Sequence, residues 1–351
     1  MKFLRLAFYV LIAQLVLSGC AGEGVEETSS SSSSEITFDA YVGRNASTRL
    51  GINDLDSLKS NNRWNSGFGV FARYNHNGAI SSLMDNEHVT WNENHWGYTN
   101  TRYWPNEGSV DFYAFAPYLK NVKLVNAPDS IKDNPTCIEF TSSTSPVDLV
   151  WDVQKNKTVP TSSTDGKVKF VFKHALARLG FDITANQELE ENGAVIQVEE
   201  VKLYGDTIVN GAFDIKGYLN LENGGWSRPK DNTRVVYTWT PTGAEDGTNF
   251  KLSASQLDHT CSKIENAPNS YLCIIPQEKW VAFYLQITYT VQQGTFKEEV
   301  KVRKNLLEVR NPPEVSNPSF PFEKGKAYVF HLILSLDPIN FYVTTTVVDW
   351  K

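Results

Sequence analysis

The chain is short of the features that most enzymes, nucleic-acid binders and disulfide scaffolds rely on. Only four of its 351 residues are cysteine, at positions 20, 137, 261 and 273. No CxxC pair occurs, which removes a zinc ribbon or a thioredoxin-like site from consideration. Setting aside Cys20, an odd count argues against a disulfide framework. Cys261 and Cys273 could pair in an oxidising compartment, and three small buried thiols are an equal alternative. There is no GxSxG, HExxH, P-loop or GxGxxG. Helical periodicity is missing over any long stretch. Positive charge is not in excess either: 33 Lys and Arg face 40 Asp and Glu, for a net charge of −7. A dispersed acidic balance disfavours nucleic acid and anionic lipid as partners. Carboxylates are plentiful but unpatterned, so they single out no acid/base couple. The expectation is no catalytic residue, no cofactor and no metal.

Long apolar runs are also absent, with one exception. Leu6 to Leu17 is apolar apart from Gln14, and Lys2 and Arg5 precede it. It is too short for a permanent membrane span and reads as a signal peptide, residues 1–19. Leu17-Ser18-Gly19-Cys20 looks like a lipobox, which makes Cys20 the acylated anchor of an exported bacterial lipoprotein. Loss of Lys2 and Arg5 with the signal would take the net charge from −7 to −9. Residues 20–35 read as an acidic and Ser-rich leash, with six serines from Ser29 to Ser34, whose composition predicts disorder.

From Ile36 onward the dominant period is two. Ile36, Phe38, Ala40 and Val42 form one row, and Val110, Phe112, Ala114 and Ala116 another. Val281 to Val291 and Tyr328 to Leu336 alternate in the same way. Each run predicts a strand with one buried face and one wetter face. Turn signals separate them, among them Asn77-Gly78, Asp165-Gly166, Asn192-Gly193, Asn223-Gly224-Gly225 and Asp246-Gly247. The fold class expected is all-β, as antiparallel sandwiches. A polar connection between Lys155 and Gly166 suggests domains at 36–165 and 166–351.

Aromatic residues are abundant, at 12% of the chain. Most should fill cores, but Trp91 and Trp96 fall in a stretch, Asp85 to Thr101, that reads as a polar loop. They are the first candidates for contact with a glycan. His76, His88 and His95 lie near Asp85, Glu87 and Glu93, at spacings that match no standard metal pattern. His174 reads as a partly buried, hydrogen-bonded strand residue. Asp56-Ser57-Leu58, Asp129-Ser130-Ile131 and Asp206-Thr207-Ile208 fit a bacterial O-glycosylation triplet.

An ordered set of segments resembles the fimbrillin family, the lipoprotein subunits of type V pili, in its Mfa-like branch. They are Ile36 to Ala40 with Thr48-Arg49; Gly67 to Ala72; Arg102-Tyr103-Trp104-Pro105-Asn106 running into Val110 to Pro117; Val147-Asp148-Leu149; Phe170 to Ala177; Ile275-Pro276-Gln277; Gly325 to Tyr328; and Val348-Asp349-Trp350. The resemblance implies two transthyretin-like β-sandwich domains in tandem and assembly by donor-strand exchange. It implies an Arg-specific protease cutting after Arg49, with Arg44 as second choice, so that the strand Ile36 to Val42 departs with its lipid. The candidate donor is Ile339 to Trp350, whose Ile339, Phe341, Val343, Val347 and Trp350 would enter the groove; the same segment could instead close its own domain. Implied partners are other fimbrial subunits, the protease, the outer membrane through the lipid, and a host or bacterial surface ligand. The expected location is the outer membrane and the fimbrium outside it. The second expectation is a surface glycan-binding lipoprotein that never polymerises.

Overall fold

Alternating apolar residues and glycine-containing turns produce strands almost throughout. The computed structural model describes residues 34–42, 58–59, 67–128, 135–142, 147–161, 166–185, 193–205, 211–230, 232–239, 251–252, 258–260, 272–279, 283–310, 319–335 and 342–350. The first nine strands are β1 (Thr37–Val42), β2 (Phe68–His76), β3 (Ala79–Asn92), β4 (His95–Gly97), β5 (Ser109–Ala116), β6 (Leu124–Val125), β7 (Cys137–Thr141), β8 (Val150–Lys157) and β9 (Lys167–His174). Then come β10 (Ala177–Ala185), β11 (Val195–Tyr204), β12 (Phe213–Asp214), β13 (Lys216–Asn220), β14 (Trp226–Ser227), β15 (Arg234–Val235), β16 (Tyr237–Trp239), β17 (Lys251–Leu252) and β18 (Asp258–Thr260). The last are β19 (Leu272–Ile274), β20 (Gln277–Lys279), β21 (Tyr284–Gln293), β22 (Phe296–Asn305), the short helix α1 (Leu306–Arg310), β23 (Phe320–Phe322), β24 (Lys326–Leu334) and β25 (Tyr342–Asp349). The all-β expectation holds. Residues 33–351 form one compact unit.

Seven strands close into a hydrogen-bonded barrel in the order β1-β4-β3-β2-β5-β8-β9. Its core holds Ile36, Phe38, Phe68, Val70, Phe112 and Phe170, among others. Two five-stranded sheets follow, β18-β10-β24-β25 with β19 beside β10, and β16-β11-β21-β22 with β17 beside β11. Both line a second core: Phe181, Phe330 and Leu332 from the first sheet meet Val201, Ile287 and Tyr289 from the second. A third core draws on chain from both halves, with Phe71, Tyr113 and Phe115 beside Leu219, Ile275 and Trp350. Above part of it β7 pairs with β13, joining residues 137–141 to 216–220.

Three sequence expectations are corrected. The stretch Asp85 to Thr101 is not a long loop: most of it is the end of β3 and the returning β4, joined by a tight turn with Glu93 at φ 49°. The first four residues of β3, Ala79 to Ser82, are exposed on both faces, so they show no alternation to read. β5 has no wet face, because Tyr113 and Phe115 are buried in the third core while Val110, Phe112 and Ala114 fill the barrel. Pairing is also not wholly antiparallel, since β1 runs parallel to β9 and β10 parallel to β24. Parallel partners need a long crossover, and in each case more than 120 residues intervene. Cys273 is a free buried thiol, and Cys261, its candidate partner, lies outside the described residues. The Asn77-Gly78 turn forms as expected, with both residues at positive φ, 53° and 85°.

Candidate functional site: the first and last strands

β1 is bound as an insert between two neighbours. On one side all six of its residues pair in parallel with β9, from Thr37 opposite Lys167 to Val42 opposite Phe172. On the other side it meets β4 at a single pair, Phe38 opposite Trp96. The chain around it adds a few bonds: the Ile36 amide donates to the Arg102 carbonyl at 2.8 Å, and the Trp104 amide to the Ser34 carbonyl at 3.0 Å. The Tyr98 hydroxyl donates to the Ile36 carbonyl at 2.7 Å. Burial pushes the Tyr98 phenol up to about 12, so it stays a donor at any physiological pH.

The alternation seen in the sequence decides which side chains β1 buries. Ile36, Phe38 and Ala40 are at most 1% exposed, whereas Tyr41 is 45% exposed. The Phe38 ring lies 5.9 Å from Phe170, 6.0 Å from Phe112 and 6.3 Å from Phe68. Fully burying such a side chain contributes about 1.5–3 kcal/mol. Removing β1 would therefore leave an apolar slot lined by phenylalanines and, along β9, a row of unpaired backbone groups. That is the surface an extended strand can refill.

β25 sits at the edge of its sheet, antiparallel to β24 over eight pairs from Ile333 opposite Tyr342 to Lys326 opposite Asp349. Val343 is buried in the second core and Val347 packs partly against it. Trp350 goes further and enters the third core, 5% exposed. There it stacks on His174 at 4.0 Å, with the Arg178 guanidinium 5.3 Å from its ring centre. His174 Nδ1 lies 3.0 Å from Asp148 Oδ1, and both side chains are under a tenth exposed. His174 was legible as a buried, bonded histidine. Its contact with Trp350 was not, because nothing in local sequence links two residues 176 positions apart.

The remaining predicted residues are scattered. Cys20, Arg44, Arg49, Ile339 and Phe341 lie outside the described residues. Trp96 is 4% exposed, packed edge-on against Phe68 at 5.1 Å and Trp91 at 5.2 Å. An open stacking platform, expected of a glycan site, is not how Trp96 is placed. Trp91 is half-buried, with Lys59 Nζ 3.8 Å from its ring centre. His76 is bonded to Asn77, His88 stacks on Tyr118 at 3.8 Å, and His95 is bonded to Asn94. Among the described residues, no group of three or more His, Cys, Asp or Glu is placed to hold a metal ion, and no helix is long and apolar enough to cross a membrane.

The model of the fimbrillin-like family matches residues 58–350. The chain belongs to the fimbrillin-like family. It is 23% identical over 375 aligned positions to the fimbrium subunit Fim1C of Phocaeicola vulgatus, covering 97% of this chain and 95% of that one. It shares its fold with the crystal structure of a fimbrial protein from Bacteroides vulgatus, at a TM-score of 0.62 and 22% identity, over 90% of this chain and 99% of the other. In this fimbrillin-like chain β1 precedes the matched span, and β25 with Trp350 closes it.

Proposed function

We propose that the chain is a non-catalytic subunit of a bacterial surface fimbria, exported as a lipoprotein through Cys20 and assembled by strand exchange. In this reading an Arg-specific protease cuts after Arg49, or after Arg44, and β1 leaves with the lipid anchor. The slot vacated by Ile36, Phe38 and Ala40 is then filled by an extended apolar strand from another subunit, for which the segment from Ile339 to Trp350 is the donor. Family membership supports the fimbrial role, and one geometric observation carries the mechanism. β1 is a six-residue strand whose parallel ladder on β9 can be exchanged without cutting any other strand of the barrel. The partners are other fimbrial subunits and the protease, and the location is the cell surface.

The test is limited digestion with trypsin, determination of the new N-terminus, and native electrophoresis. The expected result is a cut that leaves Leu50 as the first residue, followed by a ladder of polymers. A chain cut at that point that stays monomeric would overturn the strand-exchange reading.

A further inference from the structure

Among the described residues, the two sheets of the second core end in β22 and in β25, and these two edge strands differ in kind. Among the described residues β22 pairs only with β21, and β25 only with β24. Six of the ten residues of β22 are charged: Lys297, Glu298, Glu299, Lys301, Arg303 and Lys304. Charged side chains of this kind block edge-to-edge pairing. β25 carries none of that protection. Between Asp337 and Asp349 no residue is charged, and the one charge in the strand, Asp349, lies 2.6 Å from Lys326 of the neighbouring strand.

We propose that β25 is a self-association edge, which pairs antiparallel with β25 of a second copy across a two-fold axis at Thr345. The occupant follows from the sequence of the strand itself. Val343-Thr344-Thr345-Thr346-Val347 reads the same in both directions. Pairing about Thr345 sets Val343 opposite Val347, Thr344 opposite Thr346, and Tyr342 opposite Val348. Each pair joins residues from the same face of the sheet, as a continuous ladder requires. β-branched and aromatic cross-strand neighbours of this sort each contribute about 0.2–1 kcal/mol. The pairing also covers two apolar side chains that β25 otherwise leaves in water, Tyr342 at 58% and Val348 at 48% exposed. A two-fold contact is self-complementary by construction, and here the chain supplies both halves of every pair.

One strand edge buries less than a standard interface, so the dimer belongs to the weak, concentration-dependent class. It uses β25 in place on its own sheet and does not rest on strand donation. Uncut chain with β1 intact should therefore form it, whereas the fimbrial polymer requires the cut.

The experiment is sedimentation of the purified uncut chain over a wide concentration range, with oxidative cross-linking of two single-cysteine additions. In the proposed register Thr345 faces its own copy at a Cα separation of about 4.5–5.5 Å, within disulfide reach. Thr345→Cys should cross-link dimers well above the background of the parent chain. Val348→Cys, about 20 Å from its own copy, should not. The double variant Thr344→Lys, Thr346→Lys sets lysines opposite lysines on the exposed face and should weaken the dimer about tenfold or more. Mixing it with Thr344→Glu, Thr346→Glu should restore association. A chain that stays monomeric at every concentration would overturn the proposal, as would a dimer that cross-links through Val348→Cys and not through Thr345→Cys. A dimer with no polymer after trypsin would keep it and remove only the strand-exchange reading.

Discussion

The imidazole of His174 lies flat on the indole of Trp350, their centres 4.0 Å apart and their planes within 9°. His174 is the last residue of β9, the strand along which β1 is paired, and Trp350 directly follows β25. The first and last strands of the fold are thus both held by β9, one along its length and one at its end. Asp148 fixes the imidazole from the other direction through the 3.0 Å contact with Nδ1. The Trp350 backbone amide adds a bond to the Gly325 carbonyl at 2.8 Å.

Trp350 should therefore act as the clasp of the terminal strand. Replacing it with Ala removes a buried aromatic from the third core and should cost about 3–5 kcal/mol of stability. The amides of residues 342–349 should exchange with solvent faster than those of β21, and Trp350→Phe should recover most of the protection. Hydrogen exchange with mass spectrometry checks this. Equal loss of protection in β21 and β25 would mean that Trp350 supports the whole fold and does not clasp one strand.

A second prediction concerns pH. Lys279 is buried, 6% exposed, with its ammonium 5.2 Å from the Phe213 ring centre. Burial lowers its pKa from 10.5 to about 8, with Asp214 opposing the shift and Arg234 and Arg228 adding to it. Below pH 8 the folded and unfolded chains both hold the proton, and the fold bears the cost of a charge held out of water. Above pH 8 the native lysine is neutral while the unfolded one stays protonated, so the unfolded state binds more protons and stability rises with pH. The rise amounts to about 3 kcal/mol if the full interval to 10.5 is traversed. Tyr237 works the other way above pH 10, because burial holds its phenol up to about 12 and only the unfolded form ionises there. Urea midpoints should climb from pH 8 towards 10 and then fall. Lys279→Met should flatten the climb and leave the fall; a climb of the same size in that variant would refute the assignment.

The third prediction separates the two faces of β1. Phe38→Ala opens a cavity among Phe68, Phe112 and Phe170 and should lower stability by about 3–5 kcal/mol. Tyr41→Ser, on the exposed face, should change it by no more than about 0.5 kcal/mol. Denaturant titration of the uncut chain measures both. Equal effects would mean that β1 is not seated in the register seen here.

Much of this was readable from residue order. The rows at 36–42, 110–116 and 328–334 became β1, β5 and β24, because a strand with a buried face must repeat every second residue. The buried set Ile36, Phe38 and Ala40 follows from that repeat alone. What could not be read depends on contacts made at long range. The outer face of β5 reads as wet in the sequence, and only the fold brings Phe71 and Ile138 beside Tyr113 and Phe115. The first four residues of β3 have both faces in solvent, so they carry no repeat, and the end of the strand reads as a loop. Trp96, conspicuous in a polar stretch, is a core residue because β4 returns it onto Phe68. The His174–Trp350 stack unites two positions that only the folded chain brings together.

The last prediction tests the donor role of the C-terminal segment and separates it from a folding defect. Deleting residues 339–351 removes Val343 and Trp350 from two cores and uncovers β24, so a loss of stability alone would not be informative. A deleted chain that is also cut after Arg49 still presents the β1 slot, because no residue of that slot comes from the deleted segment. It should therefore form no polymer by itself yet accept a strand from intact cut chains. Added to a polymerising mixture, it should terminate growth and shorten the ladder in proportion to its share. Electrophoresis of mixed samples reads this directly. If the ladder keeps its length at every ratio while circular dichroism shows the truncated chain folded, the slot does not receive the C-terminal strand, and polymer growth would have to run through another surface.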